Sequence, residues 1–253
     1  MKNIPQENYI IGKCIYCGTV NDSLSREHIV PYGLNGEWIL QKASCTRCSD
    51  ITSKFELSVL KGLLPQARAA LKYQTRHGHP KTFPVKMKIA GQWQKFDITP
   101  DEYGAIILFP LFRQPAYLDN RSPLQGTLDI LGTGMHRLGG TDMSILHKKY
   151  NAESIDFRFE FDPGAFLKLL AKVAYGYAVL YYGLDVFDKI YALPIIMGQT
   201  DEVDRWIGSE KSSIGNEEVS IVLHQTGKDL IAKIRLFGKR EVPTYIVVVG
   251  SIK

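Results

Sequence analysis

Two Cys-x-x-Cys pairs, Cys14-Ile15-Tyr16-Cys17 and Cys45-Thr46-Arg47-Cys48, stand 27 residues apart and account for every cysteine of the 253-residue chain. Four soft thiolates in this pattern are what tetrahedral zinc takes in a closed structural site. Such a site obliges two distant turns to meet at one point. Gly18 follows Cys17, where a knuckle turn needs a permissive backbone. Iron accepts the same ligands. A redox Cys-x-x-Cys would explain one pair and leave the other over. A disulfide framework needs an oxidising compartment. The opening Met1-Lys2-Asn3-Ile4-Pro5-Gln6-Glu7 has no apolar signal-peptide region. The longest apolar run, Ala165 to Gly183, is broken by Lys168 and Lys172. The expectation is a cytoplasmic protein with no membrane partner.

The segment between the pairs carries chemistry. Glu27-His28-Ile29-Val30-Pro31 reads as a strand end closed by Pro31. Tyr32 to Gly36 is turn-rich, and Trp38-Ile39-Leu40 reads as a return strand. From Ser49 the spacing of Ile51, Phe55, Val59 and Leu60 predicts a helix. The outcome is a hairpin followed by a helix, with the metal pinning the hairpin's base to the helix start.

Cys-x-x-Cys, Glu-His-Ile-Val-Pro, and a second Cys-x-x-Cys opening a helix together resemble the HNH endonuclease family, built on a ββα-metal finger. The likeness is to bacterial, zinc-stapled members and extends to Lys42-Ala43-Ser44-Cys45. It covers about residues 12–60. The resemblance implies a treble-clef-like finger with structural Zn²⁺ on Cys14, Cys17, Cys45 and Cys48. It implies His28 as general base and Glu27 as ligand of a separate catalytic Mg²⁺ or Mn²⁺, cutting double-stranded DNA, as in restriction or anti-phage defence. The chemistry is consistent: a neutral imidazole suits activation of water, and a carboxylate suits a hard cation. Neighbours on a strand point to opposite faces, so Glu27 and His28 serve one site only where the strand bends.

The sequence departs from the family pattern on the helix. Ser49 stands where a His or Asn ligand is expected, and Asp50 is rotated ~100° from that position. Asp50 either turns inward as a metal ligand or favours the helix dipole as an N-terminal acid. Glu56 shares the face of Ser49 but lies ~10 Å along the axis, beyond direct ligation of that site. Leu40 takes the place of the family's middle Asn, and Asn35 reads as a turn residue. A catalytically silent zinc module binding nucleic acid or a protein partner is the rival reading.

Net charge is +5, and residues 1–80 carry ten Lys and Arg against six Asp and Glu. That points to an anionic partner for the first third. Arg26 flanks the dyad. Lys54, Lys61, Arg68, Lys72 and Arg76 fall within one band of a helix, suited to a phosphate backbone, if one helix runs from Ile51 to about His77. Pro65 divides it into two as readily. His77 and His79 belong to a Gly/Pro-marked loop that sets a boundary near residue 80.

The sequence therefore divides as 1–80, finger with basic helix, and 81–253, a mixed α+β domain. In the second part, 83–89 and 93–98 read as a hairpin. Strands are expected at 103–109, 155–161, 219–223, 230–236 and 245–249. Asp162-Pro163 opens a long helix to about Tyr182, apolar nearly all round and hence the central core helix. Lys168 and Lys172 share one face of it. Solvation is the expectation for both, with contact to DNA or the finger as the alternative. Gly132-Thr133-Gly134 and Gly139-Gly140 fit no phosphate loop. Two-fold cutting of a duplex would favour a homodimer, but no residue establishes one. The composition, 45% hydrophobic and 23% charged, is that of a globular chain and excludes disorder.

Overall fold

The computed structural model describes residues 9–103, 106–124, 130–137, 142–157 and 160–253. The chain is mixed α+β. It begins with β1 (Tyr9–Ile10), β2 (Ser25–His28) and β3 (Ile39–Ser44), which form a sheet in the order β1-β3-β2. β2 and β3 are antiparallel, with Glu27 opposite Leu40 and His28 opposite Ile39. Their register shifts between Ser25 and Glu27, where Lys42 on β3 takes a left-handed φ of 47°. An irregularity of this kind re-aims side chains next to it.

Helix α1 (Thr46–Ser58) starts inside the second cysteine pair, with Cys45 as its N-cap. It passes into a π-helical turn at Val59–Leu63, closed by Leu64 N–H on the Val59 carbonyl at 3.1 Å. Helix α2 (Pro65–Ala70) follows, with Pro65 in its first turn. The basic residues are thus not on one helix. Lys54 and Lys61 are exposed on the first piece, Arg68 lies on α2, and Lys72 lies past its end at φ 54°.

β4 (Phe83–Ile89) and β5 (Gln92–Ile98) form the expected hairpin, turning at Ala90 and Gly91, both with positive φ. That is the backbone a two-residue hairpin turn demands. After the short helix α3 (Pro100–Tyr103) come β6 (Ile106–Phe112) and its antiparallel partner β7 (Ile130–Arg137). Gly132 and Gly134 thus lie in a strand. Helix α4 (Met143–Tyr150) leads to β8 (Ser154–Asp156), which adds to the far edge of β4. Residues 104–105 of one expected strand, 158–159 of another and the Gly139-Gly140 pair lie outside the described residues.

Helix α5 (Pro163–Tyr182) has the expected bounds. The Asp162 carboxylate caps it by accepting from Ala165 N–H at 2.9 Å, and Gly183 ends it at φ 80°. Then come β9 (Phe187–Ile190), α6 (Ala192–Ile196), β10 (Ile207–Glu210), β11 (Val219–Thr226), β12 (Asp229–Leu236) and β13 (Thr244–Ile252). The last sheet runs β10-β13-β12-β11, with β9 also on β13. Every residue of β13 is buried.

α5 lies between this sheet and α1. One hydrophobic core joins Ile29, Leu34 and Leu40 of the N-terminal part to Phe166 through Leu180 of α5 and to Ile234, Val247 and Val249 of the sheet. The core therefore does not break at residue 80. A smaller cluster, with Phe83, Val85, Met87, Tyr103 and Leu146, sits under the β4–β5 hairpin. Among the described residues, no helix is long and apolar enough to cross a membrane.

Candidate metal centre and the adjoining cleft

The four cysteines converge. Their sulfurs all lie within 4.8 Å of one another, and Cys17 Sγ is 3.6 Å from Cys45 Sγ. Zinc–thiolate bonds of about 2.3 Å at tetrahedral angles would place sulfurs about 3.8 Å apart, so the donor set fits such an ion. Local hydrogen bonds build this geometry. Gly18 N–H donates to the Cys14 carbonyl at 2.8 Å, closing the knuckle with Gly18 at φ 75°. Ile15 N–H donates to the Ala43 carbonyl at 2.8 Å and ties that knuckle to β3. No disulfide is present: all four are free thiols, and only Cys17 is exposed. Hydrogen bonding to Thr19 lowers the Cys17 thiol to about 6, whereas burial raises those of Cys14 and Cys48. Four cysteine sulfurs packed this closely could hold a metal ion such as zinc.

Beyond the first knuckle, β2 splits the Glu-His dyad between two faces. Glu27 points into the core and is 6% exposed. Its Oε1 accepts from Lys172 Nζ of α5 at 2.8 Å, and the same ammonium lies 2.6 Å from Glu56 Oε1 of α1. The third Lys172 donor goes to the main-chain carbonyl of His28. An ammonium has three donors, and all three are engaged. Burial opposes the charge on Lys172, but Glu27 and Glu56 outweigh it and raise its pKa. Burial likewise raises the Glu56 carboxyl against the pull of Lys172. Lys172, expected in solvent, is 1% exposed. Two carboxylates overcome its desolvation, which hydropathy alone does not reveal.

His28 turns the other way, into a cleft of about 480 Å³ lined also by Arg26, Tyr32, Gly36, Glu37, Ile39, Gln74 and Arg76. Its ring meets Tyr32 edge-on, with centroids 6.0 Å apart, and its Nδ1 is buried with no hydrogen-bond partner. Burial, then the charges of Arg26 and Lys172, push the imidazole below its ordinary pKa. The ring is therefore neutral at pH 7 and available to take a proton. Arg26 and Arg76 are both exposed beside it. The combination can hold an anion next to a base.

The cleft's walls are clasped by Arg68. Its Nε donates to the Gly33 carbonyl at 2.7 Å, Nη1 to Leu60 at 3.2 Å and Nη2 to Gln74 at 3.3 Å. Asn35 Oδ1 accepts from Gln74 N–H at 2.7 Å and completes the clasp. Arg68 was expected on a phosphate-binding stripe, but its guanidinium is engaged internally. A surface charge band is legible in sequence, whereas three main-chain carbonyls around one arginine are not.

Glu27 and Asp50 are not brought together as a cation site. Glu27 is held by Lys172, and Asp50 is exposed on the second turn of α1, outside the cleft lining. Glu37 is the carboxylate among the residues lining the cleft. Glu56, set aside in sequence as too far along the helix, meets Glu27 through a residue 116 positions on. The available signal was Lys172 itself, an isolated cation within Leu169-Leu170-Ala171 and Val173-Ala174. No family model, curated protein or solved structure matches the chain.

Proposed function

We propose that the chain is an HNH-type endonuclease that hydrolyses DNA phosphodiester bonds. In this reading β2, β3 and α1 form the ββα finger, and zinc on Cys14, Cys17, Cys45 and Cys48 staples it. The observation that carries the proposal is a neutral, half-buried His28 in a cleft flanked by two arginines. Arg26 and Arg76 hold the phosphate and offset charge on its oxygens. His28 takes a proton from water, the hydroxide oxygen bonds to phosphorus, and the bond to the leaving sugar oxygen breaks. That oxygen is then protonated from the imidazolium or solvent. Zinc acts on structure and takes no part in the step. Restriction or anti-phage defence is the setting suggested by the resemblance.

The test is nicking of supercoiled plasmid by zinc-loaded protein freed of other cations, then given Mg²⁺, Mn²⁺ or neither. Cutting supports the reading, and its cation dependence reveals whether substrate and Glu37 recruit a divalent ion. Failure to cut under all three conditions contradicts it. One observation favours the rival, a silent zinc module that binds nucleic acid: the Glu27 carboxylate is already taken by Lys172. That module would bind DNA with affinity falling as salt rises, yet leave the plasmid intact.

A further inference from the structure

We infer that Lys172 is a positioning residue for His28, so that the central helix of the second region is part of the proposed catalytic site. The inference rests on the nuclease reading for its functional consequence but not for its geometry. One turn of α5 meets the N-terminal part at three consecutive points. Lys172 holds Glu27, Glu56 and the His28 carbonyl. Tyr175 Oη donates to the Ile15 carbonyl at 2.7 Å. Gly176 lies against Ile29, where an added Cβ would come within 3.3 Å of Cγ1.

The His28 carbonyl marks the end of β2. The next strand-like contact, Ile29 N–H to the Trp38 carbonyl at 3.0 Å, belongs to the turn. A strand end is free to swing unless something holds it, and here the core-facing side is held by an ammonium. With Glu27 fixed on one face, the alternation of a strand directs His28 to the other, into the cleft. Glu56 adds α1 to the same anchor. The triad thus links three elements at the residue whose side chain does the chemistry.

The anchor also accounts for the Glu-His pair as adjacent residues with different duties. Glu27 locates the backbone through Lys172, and His28 reacts. A shift of about 1 Å at the reacting group can lower a rate by about 100-fold without weakening binding. Loss of the anchor is therefore expected to appear in kcat and not in KM.

The test uses full-length, zinc-loaded chain and two variants. Lys172→Met alone leaves two carboxylates facing each other and is unstable. The balanced variant E27Q/K172M/E56Q removes all three charges and remains foldable. Three quantities are measured per folded molecule: zinc content, kcat and KM for plasmid nicking, and the rate at which diethyl pyrocarbonate modifies His28, read by mass spectrometry. The balanced variant is expected to keep its zinc and its KM. Its kcat falls about 10- to 100-fold, and His28 labelling changes several-fold while His224 labelling does not. A folded balanced variant with wild-type kcat and His28 labelling overturns the inference. If wild-type protein does not cut, the nuclease reading fails. The labelling comparison still decides whether Lys172 sets the His28 ring.

Discussion

Replacing Lys172 by Met tests the buried triad on stability alone. The change keeps the aliphatic stem and removes the ammonium, together with two ion pairs and a hydrogen bond. Glu27 and Glu56 are then left face to face, with side chains only 7% and 20% exposed. Breaking a buried ion pair by removing one partner costs about 3–5 kcal/mol, because a charge remains without compensation. That is a large part of the stability of an ordinary domain.

The pH dependence gives a second check. Lys172 has a raised folded pKa, so its contribution is complete below its unfolded value and is lost as alkali passes the folded one. Glu56 is also raised, so its protonated form is favoured by folding, and that contribution fades as pH rises through the folded value. In the variant, protons must replace the missing ammonium. The deficit should be largest near pH 7 and shrink on acidification, as one carboxyl and then the other becomes neutral. Urea unfolding of wild type, Lys172→Met and E27Q/K172M/E56Q at pH 5 and pH 7 measures this. A Lys172→Met protein within 1 kcal/mol of wild type at pH 7, or a deficit that does not narrow at pH 5, refutes the reasoning.

Four further outcomes follow from the same structure. Purified chain should carry one zinc ion, and Cys48→Ser or a strong chelator should unfold the N-terminal part, as metal analysis and circular dichroism will report. Arg26→Ala and Arg76→Ala should each reduce by about one the slope of log affinity for DNA against log salt, with thermal stability nearly unchanged. Arg68→Ala should do the reverse, lowering stability by about 2–3 kcal/mol through the carbonyls it leaves unpaired, with its effect on DNA secondary. A fragment ending at residue 80 should not fold cooperatively even with zinc, because it exposes Ile29 and Leu40 and leaves Glu27 without Lys172. A sharp thermal transition in that fragment would contradict the continuous core.

Elements with a strong local signature were legible in the sequence. Asp162-Pro163 and Gly183 bound α5, the alternation of residues 83–98 gave the hairpin, and the Cys-x-x-Cys spacing brought four sulfurs together. What stayed hidden depends on long-range pairing. β10 is four residues of no distinctive pattern and is made a strand by β13. The basic residues are divided at Leu64-Pro65, as the proline allowed, and Arg68 turns inward. Within the site, His28 stood out beside its cysteines, whereas its anchor comes from 144 residues away. A lysine surrounded by Leu, Ala and Val reports its own burial, but not the identity of its partners.

The most direct test of the central claim is single-turnover cleavage of duplex DNA by zinc-loaded His28→Gly, with and without added imidazole. The variant should keep its zinc and its DNA affinity and lose about 100-fold or more in rate. Free imidazole, entering the space left in the cleft, should restore part of that loss. A folded, zinc-loaded His28→Gly protein that cuts as fast as wild type without imidazole would contradict the assignment of His28 as the base.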